Sequence, residues 1–199
     1  MKTTLKTAPA NRPITLNSLK DQLYIVADDN YDTHLYALID GATLFAEKYL
    51  CRKLITQTWY VYYDEWPSGD AIELPFGDLQ SVTAVKYTDT DESESTLSAA
   101  TYLVDTDSIP GRVVLGYGES WPTVTLSPKN PIEIEFITGF GDTEADVPAV
   151  IKNAIKMFCA QHYEHREPQE ITNMINIHSL DFGTWQLLDM YRVWRWAMT

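Results

Sequence analysis

The 199-residue chain carries 15 basic and 28 acidic side chains, for a net charge of −13, and 45% of its residues are apolar. These ordinary globular proportions exclude wholesale disorder, the length suits one domain or a domain with a large insert, and no apolar run reaches the ~20 residues of a membrane span. The charge imbalance sits in residues 54–145, with 3 basic against 16 acidic groups, so the basic face that phosphate binding requires is missing there and specific DNA binding is disfavoured.

Residues 1–11 hold no apolar signal-peptide core and read as a loose start to an intracellular, soluble chain. Thr15 is placed to cap a short helix over about 15–27, whose apolar positions are Leu16, Leu19, Leu23 and Val26. The acidic turn at residues 28–32 breaks it and supplies N-cap candidates for a second helix at about 31–52. There Leu35, Leu38, Ile39, Ala42, Phe45, Ala46 and Tyr49 recur at three- and four-residue spacing as one apolar stripe. The stripe stops near Arg52 and Lys53, cations suited to a helix C-terminus.

Strand patterns follow. Residues 58–63 are β-branched and aromatic, and residues 71–74 end at Pro75-Phe76-Gly77. Further runs occupy 82–87, 102–104 and 112–115, and Ile132-Glu133-Ile134-Glu135-Phe136 alternates strictly. Gly, Pro, Asp and Ser between the runs provide turn chemistry. An antiparallel sheet or small barrel of five to seven strands is predicted. Helical spacing returns at about 147–166, where Pro148 opens the first turn, Ile151, Ala154, Ile155, Phe158 and His162 form the buried side, and Pro168 ends the helix. A last amphipathic stretch covers about 184–196. The predicted class is α+β: a small helical bundle with an antiparallel β segment inserted at about 57–138.

No catalytic constellation, metal set or cofactor motif emerges. His162 and His165 are three apart, not the four of a metalloprotease helix, and no third ligand is evident. Asp89-Thr90-Asp91-Glu92-Ser93-Glu94 begins like a calcium loop but has Glu94 and Ala100 where that loop needs glycine and glutamate. It reads as a solvated hairpin tip. Gly116-Tyr117-Gly118 and Gly139-Phe140-Gly141 are too short for phosphate fingerprints and suit turns or bulges. Cys51 and Cys159 have no nucleophile or redox spacing and read as inert thiols. Glu133 and Glu135 share a strand face, which marks no acid/base pair by itself. The C-terminal Trp185, Tyr191, Trp194 and Trp196, interleaved with Arg192 and Arg195, are the residue types of interface anchors; the bland alternative is that they fold back to complete the core.

Several pieces, in order, resemble the head–tail connector (adaptor) proteins of long-tailed bacteriophages and gene-transfer particles. They are Ile14-Thr15-Leu16 through Lys20 with the Asp-rich turn, and Ala46-Glu47-Lys48-Tyr49. Next come Arg52-Lys53-Leu54-Ile55-Thr56-Gln57-Thr58-Trp59 and Leu74-Pro75 with residues 79–87. Trp121-Pro122, Phe136-Ile137-Thr138-Gly139-Phe140-Gly141 and Val147-Pro148 follow. Tyr163-Glu164-His165-Arg166, with His165 where Asn is expected, and Phe182-Gly183 with Leu187-Leu188 and Tyr191-Arg192 complete the set. Each piece is short, and their order across nearly the whole chain carries the resemblance.

The resemblance implies a single adaptor domain over 1–199, with an acidic insert at about 54–145 and a C-terminal docking segment at about 168–199. It implies a structural virion protein of the neck, assembled in the host cytoplasm, with no enzymatic step, no cofactor and no membrane. Its partners would be the portal protein, a stopper or tail-completion protein, and further copies of itself in a ring, commonly dodecameric. DNA would pass through that ring without specific binding. Trp185, Tyr191, Arg192, Trp194, Arg195 and Trp196 become the expected portal-docking residues. Asp89, Asp91, Glu92, Glu94, Glu133 and Glu135 become the expected channel-facing acids, repelling a duplex that carries one charge per ~1.7 Å. Deletion of residues 184–199 is expected to abolish docking without unfolding the bundle. The alternatives are a stopper or tail-completion protein and, from a different class, a carbohydrate- or receptor-binding β module with Trp59, Trp66 and Trp121 as a stacking platform.

Overall fold

The computed structural model describes residues 1–25, 31–164 and 182–193. In chain order its elements are β1 (Lys2–Thr7), α1 (Leu16–Gln22), α2 (Asp32–Leu50), β2 (Gln57–Tyr63), β3 (Ala71–Glu73), β4 (Leu79–Thr88), β5 (Glu94–Thr96), β6 (Tyr102–Asp105), β7 (Arg112–Leu115), β8 (Ile132–Thr138), α3 (Ala149–Glu164) and α4 (Phe182–Asp189). The α+β class, with α1 and α2 before and α3 and α4 after a β-rich middle, is as expected; the strand that precedes α1 is not.

The Thr15 hydroxyl accepts from the Ser18 backbone N–H at 3.2 Å and so caps α1, satisfying one of the donors a helix start leaves open. α1 is shorter than expected and closes at Leu23; Val26 lies outside the described residues. On α2 the spacing puts Leu35, Ile39, Ala42, Ala46 and Leu50 on one buried line. These pack with Leu19 of α1, Ile151, Ala154, Ile155 and Cys159 of α3 and Leu188 of α4 into one core. His162 departs from expectation. It is exposed, its ring stacked on Phe158 with centroids 4.1 Å apart, because the buried line on α3 runs through Cys159 instead.

The β segment forms two sheets rather than one, in the orders β1-β2-β8-β4-β5 and β3-β7-β6, with every strand pair antiparallel. A second core joins them: Val61, Val85, Ile134 and Phe136 from the larger sheet meet Ile72, Tyr102 and Val113 from the smaller. Alternation on β8 works as read, with Ile132, Ile134 and Phe136 fully buried and Glu133 and Glu135 on the opposite face. The strand set is larger than expected. Residues 2–7, read as a loose start, pair with β2 from Lys2↔Tyr62 to Leu5↔Trp59. They cover an edge of β2 that would otherwise expose unpaired backbone groups. The sheet therefore draws on residues outside the insert.

Bundle and sheets meet at a buried polar joint. Cys51 takes a left-handed conformation (φ 53°) that ends α2, and Arg52 and Lys53 then turn inward instead of serving the helix dipole. Arg52 Nη1 donates to Asp78 at 2.6 Å and Arg52 Nε to the Tyr191 carbonyl at 2.6 Å. Lys53 Nζ lies 3.1 Å from Glu47 Oε2 and 4.6 Å from the ring centroids of both Trp59 and Phe76. Glu47 Oε1 accepts from the Leu54 N–H and the Gln57 amide at 3.0 and 3.1 Å. Burying an ion pair costs several kcal/mol per ion unless the remaining lone pairs are met; here three donors and two ring faces meet them. Gly139 sits beside this joint with φ +135°, where an added Cβ would stand 2.7 Å from the Ile55 carbonyl carbon. Close backbone approach, not phosphate binding, is the use of that glycine.

Candidate functional site

The aromatic C-terminal segment folds back onto the bundle as far as Val193. Trp185 packs edge-on against Tyr49 and Phe45, with ring centroids 4.5 and 5.3 Å apart. Leu188 is 1% exposed, and the Tyr49 hydroxyl bonds to Asp189. Burial, reinforced by that carboxylate, raises the Tyr49 pKa. The Arg192 guanidinium lies 4.5 Å over the Tyr49 ring, and the Val193 N–H bonds to the Leu50 carbonyl at 2.9 Å. Tyr191 stands edge-on to Phe140 at 6.5 Å. Trp185, Tyr191 and Arg192 are thus half-buried parts of the bundle. Trp194, Arg195 and Trp196 lie outside the described residues, as does the end of the helix expected at 184–196; α4 itself closes at Asp189.

The six acidic residues expected along a channel fall in two places. Asp89, Asp91, Glu92 and Glu94 occupy the β4–β5 hairpin, whose tip closes as Asp89 Oδ1 accepts from the Asp91 and Ser93 N–H groups at 2.9 and 3.0 Å. Glu133 and Glu135 stand on the outer face of the larger sheet. Two of the six are neutralised: Glu94 pairs with Lys86 at 2.8 Å and Glu135 with Lys6 at 2.7 Å. Each carboxylate raises the pKa of its lysine through the hydrogen bond. The outer face is therefore mixed in charge. A row crosses it from Lys2 through Tyr62, Glu133 and Lys86 to Thr96.

The three tryptophans of the sugar-platform alternative fall into two separate ring clusters. Trp66 and Trp121 stack on each other, centroids 4.9 Å apart and planes 8° off parallel, with Trp66 also against Tyr87. Trp59 packs on Phe76 at 4.9 Å, beside the polar joint. Among the described residues no group of three His, Cys, Asp or Glu could hold a metal ion, and no helix is long and apolar enough to cross a membrane. His165, the second member of the histidine pair, lies outside the described residues. Both cysteines are free, and burial pushes the Cys159 thiol up to about 12.

What the site offers is surface. Sequence reading missed β1 and the Glu47–Lys53–Gln57 joint. Three β-branched threonines in six residues, Thr3, Thr4 and Thr7, were the only signal for that strand. For the joint there was only the Arg-Lys pair, which reads equally as a helix end.

No family model and no curated protein matches the chain. Solved structures do. A chain in the neck of an empty gene transfer agent (GTA) particle, computed with C6 symmetry, superposes with a TM-score of 0.79 at 23% identity, covering 96% of this chain and 95% of that one. A chain in the virion of the native GTA particle gives 0.77 at 22% identity, with the same coverage. One in the native neck computed with C12 symmetry gives 0.73 at 23% identity, again with the same coverage. The shared feature is the fold. It extends over bundle and insert alike, so the β segment is an integral part of the shared architecture.

Proposed function

We propose that the chain is a head–tail connector of a phage-like particle: an adaptor that forms a ring under the portal, extends the DNA channel and joins the capsid to the stopper or tail. The observation that carries this reading is the end-to-end fold likeness to chains of GTA particle necks and virions. The ordered sequence pieces that resemble the adaptor family point the same way. The role is structural and non-enzymatic. Closed cyclic assembly asks each copy to meet its neighbours through two different surfaces, and the sixfold and twelvefold symmetries of the related neck structures fit such a ring.

In this reading the acidic insert faces the channel or its mouth, so DNA slides past without being held. Portal docking falls to the C-terminal end. Since Trp185, Tyr191 and Arg192 already serve the bundle, the reading rests on Trp194, Arg195 and Trp196 as anchors, the interface-favoured residue types that follow them in the sequence. The test is to mix the purified chain with the portal ring of the same particle and image the mixture by electron microscopy. A collar of density on the tail-facing end of the portal is expected. Binding only to an adaptor-loaded portal would move the chain to the stopper or tail-completion role, and no binding to any virion component would overturn the connector reading.

A further inference from the structure

Two opposite flanks of the β insert carry unlike chemistry. In the larger sheet β1 and β5 are the two outer strands. The smaller sheet is oriented by the Tyr63 hydroxyl, which donates to the Glu73 carbonyl at 2.7 Å and so holds β3 near β2. β6, the far edge of that sheet, follows β5 after five residues, among which Leu97 donates its N–H to the Val85 carbonyl at 2.8 Å, so β6 starts from the β4–β5 side.

The β1 flank has an open strand edge, the lysines Lys2 and Lys6, and an apolar groove. The groove is about 400 Å3, walled by Leu5, Pro9, Leu44, Ile55 and Trp59, with Leu5 42% and Leu44 53% exposed at its rim. The β5–β6 flank has the acidic hairpin with Asp91, Glu92 and Glu94 exposed. It also carries an apolar ridge, with Leu103 66% and Ile109 54% exposed.

We infer that these flanks are the two halves of one contact between copies of this chain, the apolar ridge of one copy seating against the Leu5–Leu44 groove of the next while its hairpin acids Asp91 and Glu92 meet Lys2; Lys6 and Glu94 are engaged within the chain by Glu135 and Lys86. The inference rests on the connector reading and names the surfaces that close its ring. Three observations select a second copy as the occupant. The flanks complement each other: groove against ridge, and the Lys2 ammonium against the exposed Asp91 and Glu92 carboxylates. The flanks lie at opposite edges, which a head-to-tail contact requires and a twofold contact does not. Like flanks also repel, because lysines at an open edge oppose pairing of β1 with a second β1. Five antiparallel strands leave β1 and β5 running in the same direction. A neighbour rotated by a small ring step therefore brings its β1 alongside β5 in a nearly parallel sense. This arrangement takes the hairpin acids out of the channel wall and leaves that role to other acids of the insert.

The experiment uses the full chain assembled on its portal ring, with Cys51→Ser to silence the reactive thiol. Leu5→Cys and Ile109→Cys are introduced singly and together, and mild oxidation is followed by denaturing electrophoresis. The doubly substituted chain is expected to give a ladder of dimers, trimers and higher species, and each single variant none. Lys2→Glu should cut ladder yield at least tenfold, and a mixture of Lys2→Glu chains carrying Leu5→Cys with Glu92→Lys chains carrying Ile109→Cys should recover the crosslinked dimer. A collar on the portal with no ladder, or dimers from either single variant, would overturn the inference while leaving the connector reading intact. Absence of the collar itself would sink the reading on which it rests.

Discussion

Arg52 and Asp78 form the tie between bundle and insert: Arg52 Nη1 reaches both Asp78 carboxylate oxygens at 2.6 Å, and the same guanidinium holds the Tyr191 carbonyl through Nε. One side chain thus joins the end of α2, the loop before β4 and the C-terminal segment. Removing one partner of a pair this enclosed leaves the other charge without compensation. Arg52→Ala should destabilise the chain by about 3 kcal/mol, measured by urea unfolding. Arg52→Lys should recover only part of this, because an ammonium lacks the planar fork that serves two acceptors at once. A variant with wild-type stability would show that the tie is dispensable.

Gly139 tests the close approach beside the same joint. Alanine there meets a positive φ and the Ile55 backbone together. A loss of about 2 kcal/mol or more is expected from the backbone strain alone. Gly41, where an added Cβ meets nothing within 4 Å, is the control. Gly41→Ala on the α2 helix should be neutral or stabilising by up to about 1 kcal/mol. Equal effects at the two positions would contradict the geometry.

The two thiols should differ sharply. Cys159 is fully buried and its pKa is pushed up to about 12, so almost no thiolate exists at neutral pH, whereas Cys51 is only half-buried. A thiol reagent under native conditions should label Cys51 and leave Cys159 until denaturant is added, since the thiolate is the reacting form. Fast labelling of both would place Cys159 outside the core.

Asp105 provides a pH reading at the β6–β7 turn. Hydrogen bonds from the Ser108 hydroxyl and then from Arg112 hold its carboxyl at about 2, below the ordinary value of 3.8. A depressed folded pKa means the stabilisation is complete above the unfolded value and lost as pH falls through the folded one. The window is therefore from about pH 4 down to about pH 2. Carboxyl chemical shifts followed by NMR should give a midpoint near the lower figure. Arg112→Gln should move it upward; a midpoint already at the ordinary value would mean the turn is not held this way.

Truncation separates structural from docking roles at the C-terminus. A chain ending before Thr184 loses Leu188 and Val193 from burial and the cover over Tyr49, at least about 3 kcal/mol at 1.5–3 kcal/mol per buried side chain. Deleting residues 184–199 is therefore expected to weaken the bundle as well as docking, so loss of portal binding by that variant alone does not isolate a docking role. A chain ending at Val193 keeps every described contact. It should bind the portal at least tenfold more weakly, by calorimetry and by pull-down, while the Tyr49–Trp185 and Leu50–Val193 contacts persist. Unchanged binding would exclude Trp194, Arg195 and Trp196 as anchors.

The readable elements are those whose burial is periodic. The α2 stripe from Leu35 to Leu50 and the alternation from Ile132 to Phe136 each repeat often enough to show which face is covered. β1 lacks that signal. As an outer strand it is exposed at nearly every position, so neither face writes an apolar pattern. The charges misled for a related reason. Arg52 and Lys53 follow a helix, where cations commonly favour the C-terminal dipole, yet Lys53 turns back to Glu47 and the partners of Arg52, Asp78 and Tyr191, lie 26 and 139 residues away. Glu133 and Glu135 were legible as one face, but not Lys6 arriving from the N-terminus to neutralise Glu135.

The sequence by itself therefore determined the α+β class, the order of the helices and of the strands from β2 onward apart from β5, the two apolar stripes and the concentration of negative charge in residues 54–145. These follow from local spacing, which the pitch of a helix and the pleat of a strand translate directly into faces. Tertiary structure alone decided that the strands split into two sheets and that the N-terminus joins one of them. It also decided which acids are neutralised, and that Trp185, Tyr191 and Arg192 belong to the bundle. Each of those outcomes depends on which distant group desolvates a side chain or completes its hydrogen bonds, and spacing along the chain does not record that.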